Sequence, residues 1–251
     1  MAGENASKLK LDENINIKDL KVFSIEDNGG SFFVSRVDGE LKAVQQQVYQ
    51  YFQKEHGVHV TEVKLEKLAS SIQIWSSMMW SAGGPSFCDL MGAEKKAINP
   101  FWEIIKSCVG TSNHTFPAIG LGIVEKFQSL VPQSVSDSFV KMAEELEDEL
   151  NSMLGDNGVL LYPSHPTVAP THNTPLLLPF NYTYTAIFNV LYLPVTQCPV
   201  ALSKAGLPMG IQVIAANGND HLTIAVAEEI ERRFGGWSSL FSQKQNYLKN
   251  K

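Results

Sequence analysis

The chain has 251 residues, 44% hydrophobic and 18% charged, which supplies a core without the charge excess that keeps chains disordered. A formal net charge of −6, with lysines and arginines scattered among acids, excludes nucleic acid, since phosphate binding needs a clustered basic surface. Cys88, Cys108 and Cys198 form an odd set without C-x-x-C spacing, so mostly buried reduced thiols are expected rather than disulfides or a zinc site.

The first predicted element is a strand at residues 20–25, Leu-Lys-Val-Phe-Ser-Ile, followed by the turn chemistry of Asp27-Asn28-Gly29-Gly30. Asp38 then caps a helix whose Leu41, Val44, Val48, Tyr51 and Phe52 recur at helical spacing, with Gly57 as its stop. Alternation resumes over residues 58–65, so the segment reads as a βαβ unit with parallel neighbouring strands. His56 and His59 lie at this helix-to-strand junction without a third ligand at metal spacing, and read as a surface pair.

Residues 69–130 form an irregular aromatic-rich insertion. Helical stretches at 72–80 and 101–109 are broken by Gly83-Gly84-Pro85 and by Asn99-Pro100. The insertion either lines a greasy pocket or packs as helices over a sheet face. Beyond it, Phe139, Met142, Ala143, Leu146, Leu150, Met153 and Leu154 make one apolar stripe, and the Glu144-Glu145 and Glu147-Asp148-Glu149 runs fall on solvated faces before Gly155. Val159-Leu160-Leu161 predicts a short buried strand ended by Pro163. Residues 211–215 predict another. Asp220 caps a last helix that turns Leu222, Val226, Ile230 and Phe234 inward. The alternation predicts an α/β fold, a mainly parallel sheet flanked by helices on both faces.

Few residues offer chemistry. Ser164-His165 and Asp220-His221 are sequence neighbours, which point to opposite faces in an extended chain and cannot make a Ser/His/Asp triad between themselves. Gly29-Gly30-Ser31 and Gly83-Gly84-Pro85-Ser86 lack the serine and glycine run that exposes a nucleophile and aims backbone N–H groups at an oxyanion. No apolar run approaches the roughly 18 residues that cross a bilayer, and Met1-Ala2-Gly3-Glu4-Asn5 is too polar for a signal peptide. Three N-x-S/T sequons begin at Asn5, Asn113 and Asn181; so short a pattern arises by chance, and all three read as accidental.

Five stretches occur in an order that resembles the amidase-signature family, and within it the branch acting on fatty-acid amides. They are Asp27-Asn28-Gly29-Gly30-Ser31-Phe32, Met153-Leu154-Gly155-Asp156-Asn157-Gly158-Val159, Tyr162-Pro163-Ser164-His165-Pro166-Thr167-Val168-Ala169-Pro170, Leu193-Pro194-Val195-Thr196-Gln197-Cys198-Pro199 and Gly206-Leu207-Pro208-Met209-Gly210-Ile211-Gln212. Met1-Ala2-Gly3 resembles an interior stretch of those enzymes, so the chain is expected to be the C-terminal part of a single amidase domain, residues 1–251, with a tail at 238–251.

The resemblance implies a Ser-cisSer-Lys hydrolase of fatty-acid primary amides and N-acyl ethanolamides, working without metal or organic cofactor. Its lysine and both serines are expected upstream, so no catalytic role passes to Lys8, Ser31 or Ser86, and the polypeptide alone is expected to be inactive. From the element Tyr184-Thr185-Ala186-Ile187-Phe188-Asn189, Thr185 and Phe188 are the candidates for lining an acyl channel, with core packing as the alternative. Tyr192 departs from the family, which places glycine there, and is expected to displace the turn or project outward. The expected partners are a fatty-acid amide substrate, a membrane or lipid-droplet surface and a separate N-terminal half that pairs with the sheet. The alternatives are a non-catalytic acyl-chain binding protein and an incomplete gene model.

Overall fold

A computed structural model describes residues 9–29, 34–93, 96–172 and 174–236, without the side chains of 176 and 177. Met1-Ala2-Gly3, the sequon at Asn5, Lys8, Ser31 and the 238–251 tail lie outside the described residues. The chain divides into two compact units, one of Met1–Ser71 with Glu144–Lys251 and one of Ile72–Ala143.

The first unit is built on five strands: β1 (Lys21–Ser24), β2 (Val60–Glu62), β3 (Gly158–Pro163), β4 (Val195–Leu202) and β5 (Pro208–Ala215), in the order β2-β1-β3-β5-β4. β1 runs parallel to both β2 and β3, with Val22 opposite Val60 and Val159. β5 is antiparallel to both β3 and β4. The open α/β sheet is therefore mixed, its parallel half lying where the βαβ unit was read. β3 is buried at every position, as a strand covered on both faces requires.

β4 escapes a reading based on propensity because Pro199 interrupts it. The Ala215 N–H donates to the Pro194 carbonyl at 3.2 Å, which fixes the bonded rungs of the β4–β5 ladder. Counting along the register, Pro199 faces Gly210 at an unbonded rung, so its missing N–H falls on the free edge of the sheet. An edge strand tolerates proline in that register alone.

Helix α1 (Gly39–His56) turns Leu41, Val44, Val48, Tyr51 and Phe52 into the core and ends at Gly57, whose φ of 67° is left-handed. Fully burying each large apolar side chain stabilises the fold by about 1.5–3 kcal/mol. The stripe also carries a polar residue: Gln45 is buried, and its Nε2 donates to Ser24 Oγ and Ile25 O at 2.9 Å and to Leu161 O at 3.1 Å. It thus ties the ends of β1 and β3 together where their ladder stops.

The remaining helices are α2 (Ser71–Ser81), α3 (Phe87–Met91), α4 (Pro100–Cys108), α5 (Phe116–Gln128), α6 (Gln133–Leu154), α7 (Thr174–Leu177), α8 (Thr183–Val190) and α9 (Asp220–Phe234). On α6, Ala143, Leu146, Leu150 and Leu154 are buried, while Glu144, Glu145, Asp148 and Glu149 are exposed. On α9, Leu222, Val226 and Ile230 are buried; Asn219 rather than Asp220 holds the cap position.

His56 is not the surface histidine expected. Its Nε2 lies 2.7 Å from Glu229 Oε1, a buried carboxylate that also accepts from Tyr51 OH and from Arg232 Nη2 at 2.7 Å, joining α1 to α9. Burial alone would raise the Glu229 carboxyl, but hydrogen bonds from Arg232, Tyr51 and His56 outweigh it and hold it below its ordinary value. His59 is exposed.

The second unit is helical. Ser86 and Asp89 form a capping box on α3, and Glu125 of α5 accepts from the Phe87 and Cys88 N–H groups at 2.6 and 3.1 Å. Asn99 caps α4 ahead of Pro100. Phe101, Trp102, Ile105 and Val109 of the α4 segment and Phe116 and Phe127 of α5 remain exposed, more apolar surface than single scattered residues provide.

Candidate functional site

β3 ends at Pro163, and the next seven residues contain two further prolines, Pro166 and Pro170, so the chain leaves the sheet as an extended loop. Each turn of that loop is fastened to a different element. Gln212 of β5, 1% exposed, sends Nε2 to the Pro163 carbonyl at 3.0 Å and to the Tyr184 carbonyl at 2.8 Å. Thr185 Oγ1 donates to the Ser164 carbonyl at 2.8 Å, Ser164 Oγ donates to Gln197 Oε1 of β4, and the Asp38 N–H donates to the Pro166 carbonyl at 2.8 Å. Gly210 is needed beside Gln197: a Cβ there would meet the Cys198 carbonyl oxygen and lie 2.8 Å from Gln197 Nε2.

Helix α8 also reaches the loop after β1. Tyr184 OH donates to Asn28 Oδ1 and the Ser35 carbonyl, both at 3.1 Å. Asn181 Oδ1 accepts from the Ser35 N–H at 2.9 Å, and its Nδ2 donates to Ser35 Oγ at 3.2 Å. Burial pushes the Tyr184 phenol up to about 12, so it remains a hydrogen-bond donor across the physiological range. Four stretches far apart in sequence, around Asn28, Ser164, Tyr184 and Gln212, thus meet through α8 at one end of the sheet.

Three concavities among the described residues of this unit bear on the site. One of about 250 Å³ runs between the loop and the β4–β5 edge and is lined by Leu41, Ser164, His165, Gln197, Met209 and Gly210. A second, about 350 Å³, lies across the same loop against Val168, Ala169, Thr171, Pro175, Leu178 and Leu207. The third, about 750 Å³, opens at the carboxyl ends of β1 and β2, where open α/β sheets place ligands, and is lined by charged groups including Asp27, Arg36, Glu62 and Lys64. Burial would raise the Asp27 carboxyl, but the Gly29 N–H at 2.9 Å and Lys42 Nζ at 3.1 Å, with Arg36 beyond, keep it below its ordinary value.

The two candidate pocket residues share α8 but have different surroundings. Thr185 is exposed beside Ser164; Phe188 is fully buried, its ring edge-on to Tyr162 at 5.3 Å between centroids. Neither lines the three concavities above. Tyr192 is 70% exposed with φ of 54°, in the left-handed region. Its N–H bonds to Asn189 O at 3.3 Å and that of Leu193 to Phe188 O at 3.2 Å, the Schellman arrangement in which glycine is the favoured residue. The turn is kept and the ring projects outward.

Among the described residues, the candidate nucleophiles assemble into no hydrolytic set. Ser164 is bonded to Gln197, and His165 Nδ1 lies 2.9 and 3.2 Å from the Thr167 carbonyl and N–H of its own loop. Ser86 caps α3, and His221 is buried with Nε2 4.0 Å from Glu13. Burial raises the Cys88 thiol to about 11 and the Cys198 thiol to about 12, leaving both neutral; Cys108 is exposed. No group of three or more His, Cys, Asp or Glu able to hold a metal occurs among the described residues. What the arrangement offers is a fixed, partly apolar floor with backbone and amide dipoles at its rim.

Gln45, Asn181 and Gln212 organise this end of the sheet, a role that sequence alone assigns to none of them: Asn181 stands out there only as a sequon and Gln212 only within a family-resembling stretch. The signal available was a lone amide inside an apolar run, as in Ile211-Gln212-Val213, since a buried amide must find partners.

The family model Amidase matches residues 30–224. Fatty-acid amide hydrolase 2 of Homo sapiens is 47% identical over 242 residues, covering 94% of this chain and 45% of that protein. Fatty-acid amide hydrolase 2-A of Danio rerio is 45% identical with the same coverage. Among solved structures, a bacterial aryl acylamidase of the amidase signature family superposes with a TM-score of 0.64 at 17% identity, over 94% of this chain and 47% of that one, a likeness of fold alone. The chain spans less than half the length of each of these relatives.

Proposed function

The chain belongs to the amidase family, and from that premise we propose that its 251 residues form the C-terminal portion of a serine amidase, one domain with a helical insertion near residues 69–130. The intact enzyme hydrolyses fatty-acid primary amides and N-acyl ethanolamides. The observation that carries this reading is the 47% identity to fatty-acid amide hydrolase 2 along 94% of the chain.

In this reading the nucleophilic serine, the relaying serine and the lysine belong to the partner portion of the domain, and these residues contribute the floor and wall beside them. The loop after β3 is pinned by Gln197, Gln212 and Thr185, so in this reading its backbone forms a fixed wall beside the catalytic residues. Thr185 faces the acyl chain from α8, and Phe188 supports it by packing on Tyr162. By itself the polypeptide does not hydrolyse amides. An unpaired edge of the sheet pairs with the upstream half, and the exposed apolar side chains of α4 and α5 meet a lipid surface, from which a fatty-acid amide would be drawn.

The test is oleamide turnover by the purified 251-residue polypeptide, alone and after co-expression with the upstream half of fatty-acid amide hydrolase 2. Turnover only in the paired sample is the expected result; turnover by the polypeptide alone would refute the assignment of the catalytic set to the partner portion.

A further inference from the structure

Of the two described sequons, the fold closes one and leaves the other open. Asn181 is 4% exposed, and both ends of its carboxamide are engaged by Ser35; Thr183 is fully buried and its Oγ1 donates to the Phe180 carbonyl at 2.8 Å. Asn113-His114-Thr115 instead occupies the connection between α4 and α5, with Asn113 and Thr115 both exposed. The Asn113 carboxamide makes no hydrogen bond to a described residue, and Thr115, at the cap position of α5 with extended φ and ψ of −76° and 152°, forms no side-chain cap bond.

The connection is nevertheless well defined. Gly110 turns left-handed at φ of 70°, the Thr111 N–H bonds to the Lys106 carbonyl at 2.8 Å, and Ser112 points inward, donating to Glu103 Oε2 at 2.7 Å while accepting from the His114 N–H at 3.1 Å. With Ser112 anchored, its neighbour Asn113 is held outward, and the hydroxyl two residues on stays free.

We propose that Asn113 is an acceptor site for an N-linked oligosaccharide, with Thr115 as the hydroxyl the transferase reads. The donor is a lipid-pyrophosphate-linked oligosaccharide. Asn113 Nδ2 forms a bond to the anomeric carbon of the first sugar as the bond from that carbon to the pyrophosphate oxygen breaks. The lipid pyrophosphate leaves, and one proton passes from Nδ2 to the transferase. The reading of all three sequons as accidental is thereby revised at this one. A glycan there keeps the α4–α5 turn in water, so that any lipid contact of these helices runs along their flanks.

The test presents the folded 251-residue chain to a purified oligosaccharyltransferase and its lipid-linked donor. Sites are read by peptide mass after release with a peptide N-glycosidase in heavy-oxygen water. One oligosaccharide at Asn113 is expected, lost in both Asn113→Gln and Thr115→Ala, exposed substitutions that leave the helices intact. Asn181 should remain unmodified in the folded chain and become an acceptor only after unfolding in urea. Absence of transfer to Asn113 in the folded chain, or transfer to Asn181 there, would overturn the proposal.

Discussion

Tyr192 holds a left-handed φ of 54° in a turn where its ring is mostly in water, so the residue bears the steric cost of that conformation with little burial in return. Relieving it is worth about 1–2 kcal/mol, part of which is offset by the greater freedom of glycine in the unfolded chain. Tyr192→Gly should therefore raise the unfolding free energy by about 0.5–1 kcal/mol in urea titrations, with the denaturant slope unchanged. Glu229 makes a different demand. Its folded carboxyl lies below the ordinary 4.5, so its contribution is complete above that value and is lost as pH falls through the lowered folded value. The Glu229 contribution, read as the difference in unfolding free energy between the protein and Glu229→Gln, should be level from neutrality to about pH 5 and decline below it. In Glu229→Gln stability at neutral pH should be lower by about 1–3 kcal/mol, because Tyr51 and His56 lose a charged acceptor.

At the scale of elements, periodicity made α1, α6, β3 and α9 legible, because each sets large apolar residues on one face or along a fully buried strand. β4 was not legible: Pro199 argues against a strand unless its edge position is known, and that depends on pairing with β5. The same limit hid the site, for Gln212 matters only through the Pro163 and Tyr184 carbonyls, 49 and 28 residues away. Gln212→Leu keeps the size but removes the Nε2 donor from both carbonyls, leaving the Tyr184 carbonyl only its helical partner and the Pro163 carbonyl without its side-chain donor. It should cost about 2–3 kcal/mol in thermal or urea unfolding, whereas substituting exposed Gln197 by Leu should cost less than about 1 kcal/mol. The helical insertion was read as irregular, yet capping by Ser86 and Asn99 organises it. Its exposed Phe101, Trp102 and Ile105 give a further expectation. The chain should float with neutral phospholipid vesicles, and a Phe101→Ser/Trp102→Ser double variant should float several-fold less; equal flotation would count against lipid contact by this face.

For the whole molecule, family and α/β class could be read because the stretches around Asn28, Ser164, Gln197 and Gln212 are contiguous words in the sequence, whereas their meeting at one end of the sheet was not. That meeting builds a largely pre-formed floor and offers no activated nucleophile among these candidates: Ser164 and Ser86 are committed to structural bonds, and the buried Cys88 and Cys198 thiols are neutral. The central claim is that amide cleavage requires residues these 251 do not supply. The most direct measurement is intact-mass analysis of the purified chain after exposure to a fluorophosphonate that traps activated serines. The account predicts an unchanged mass at all times, and a labelled serine only when the upstream half is present; stoichiometric labelling of the chain alone at one defined serine would contradict it.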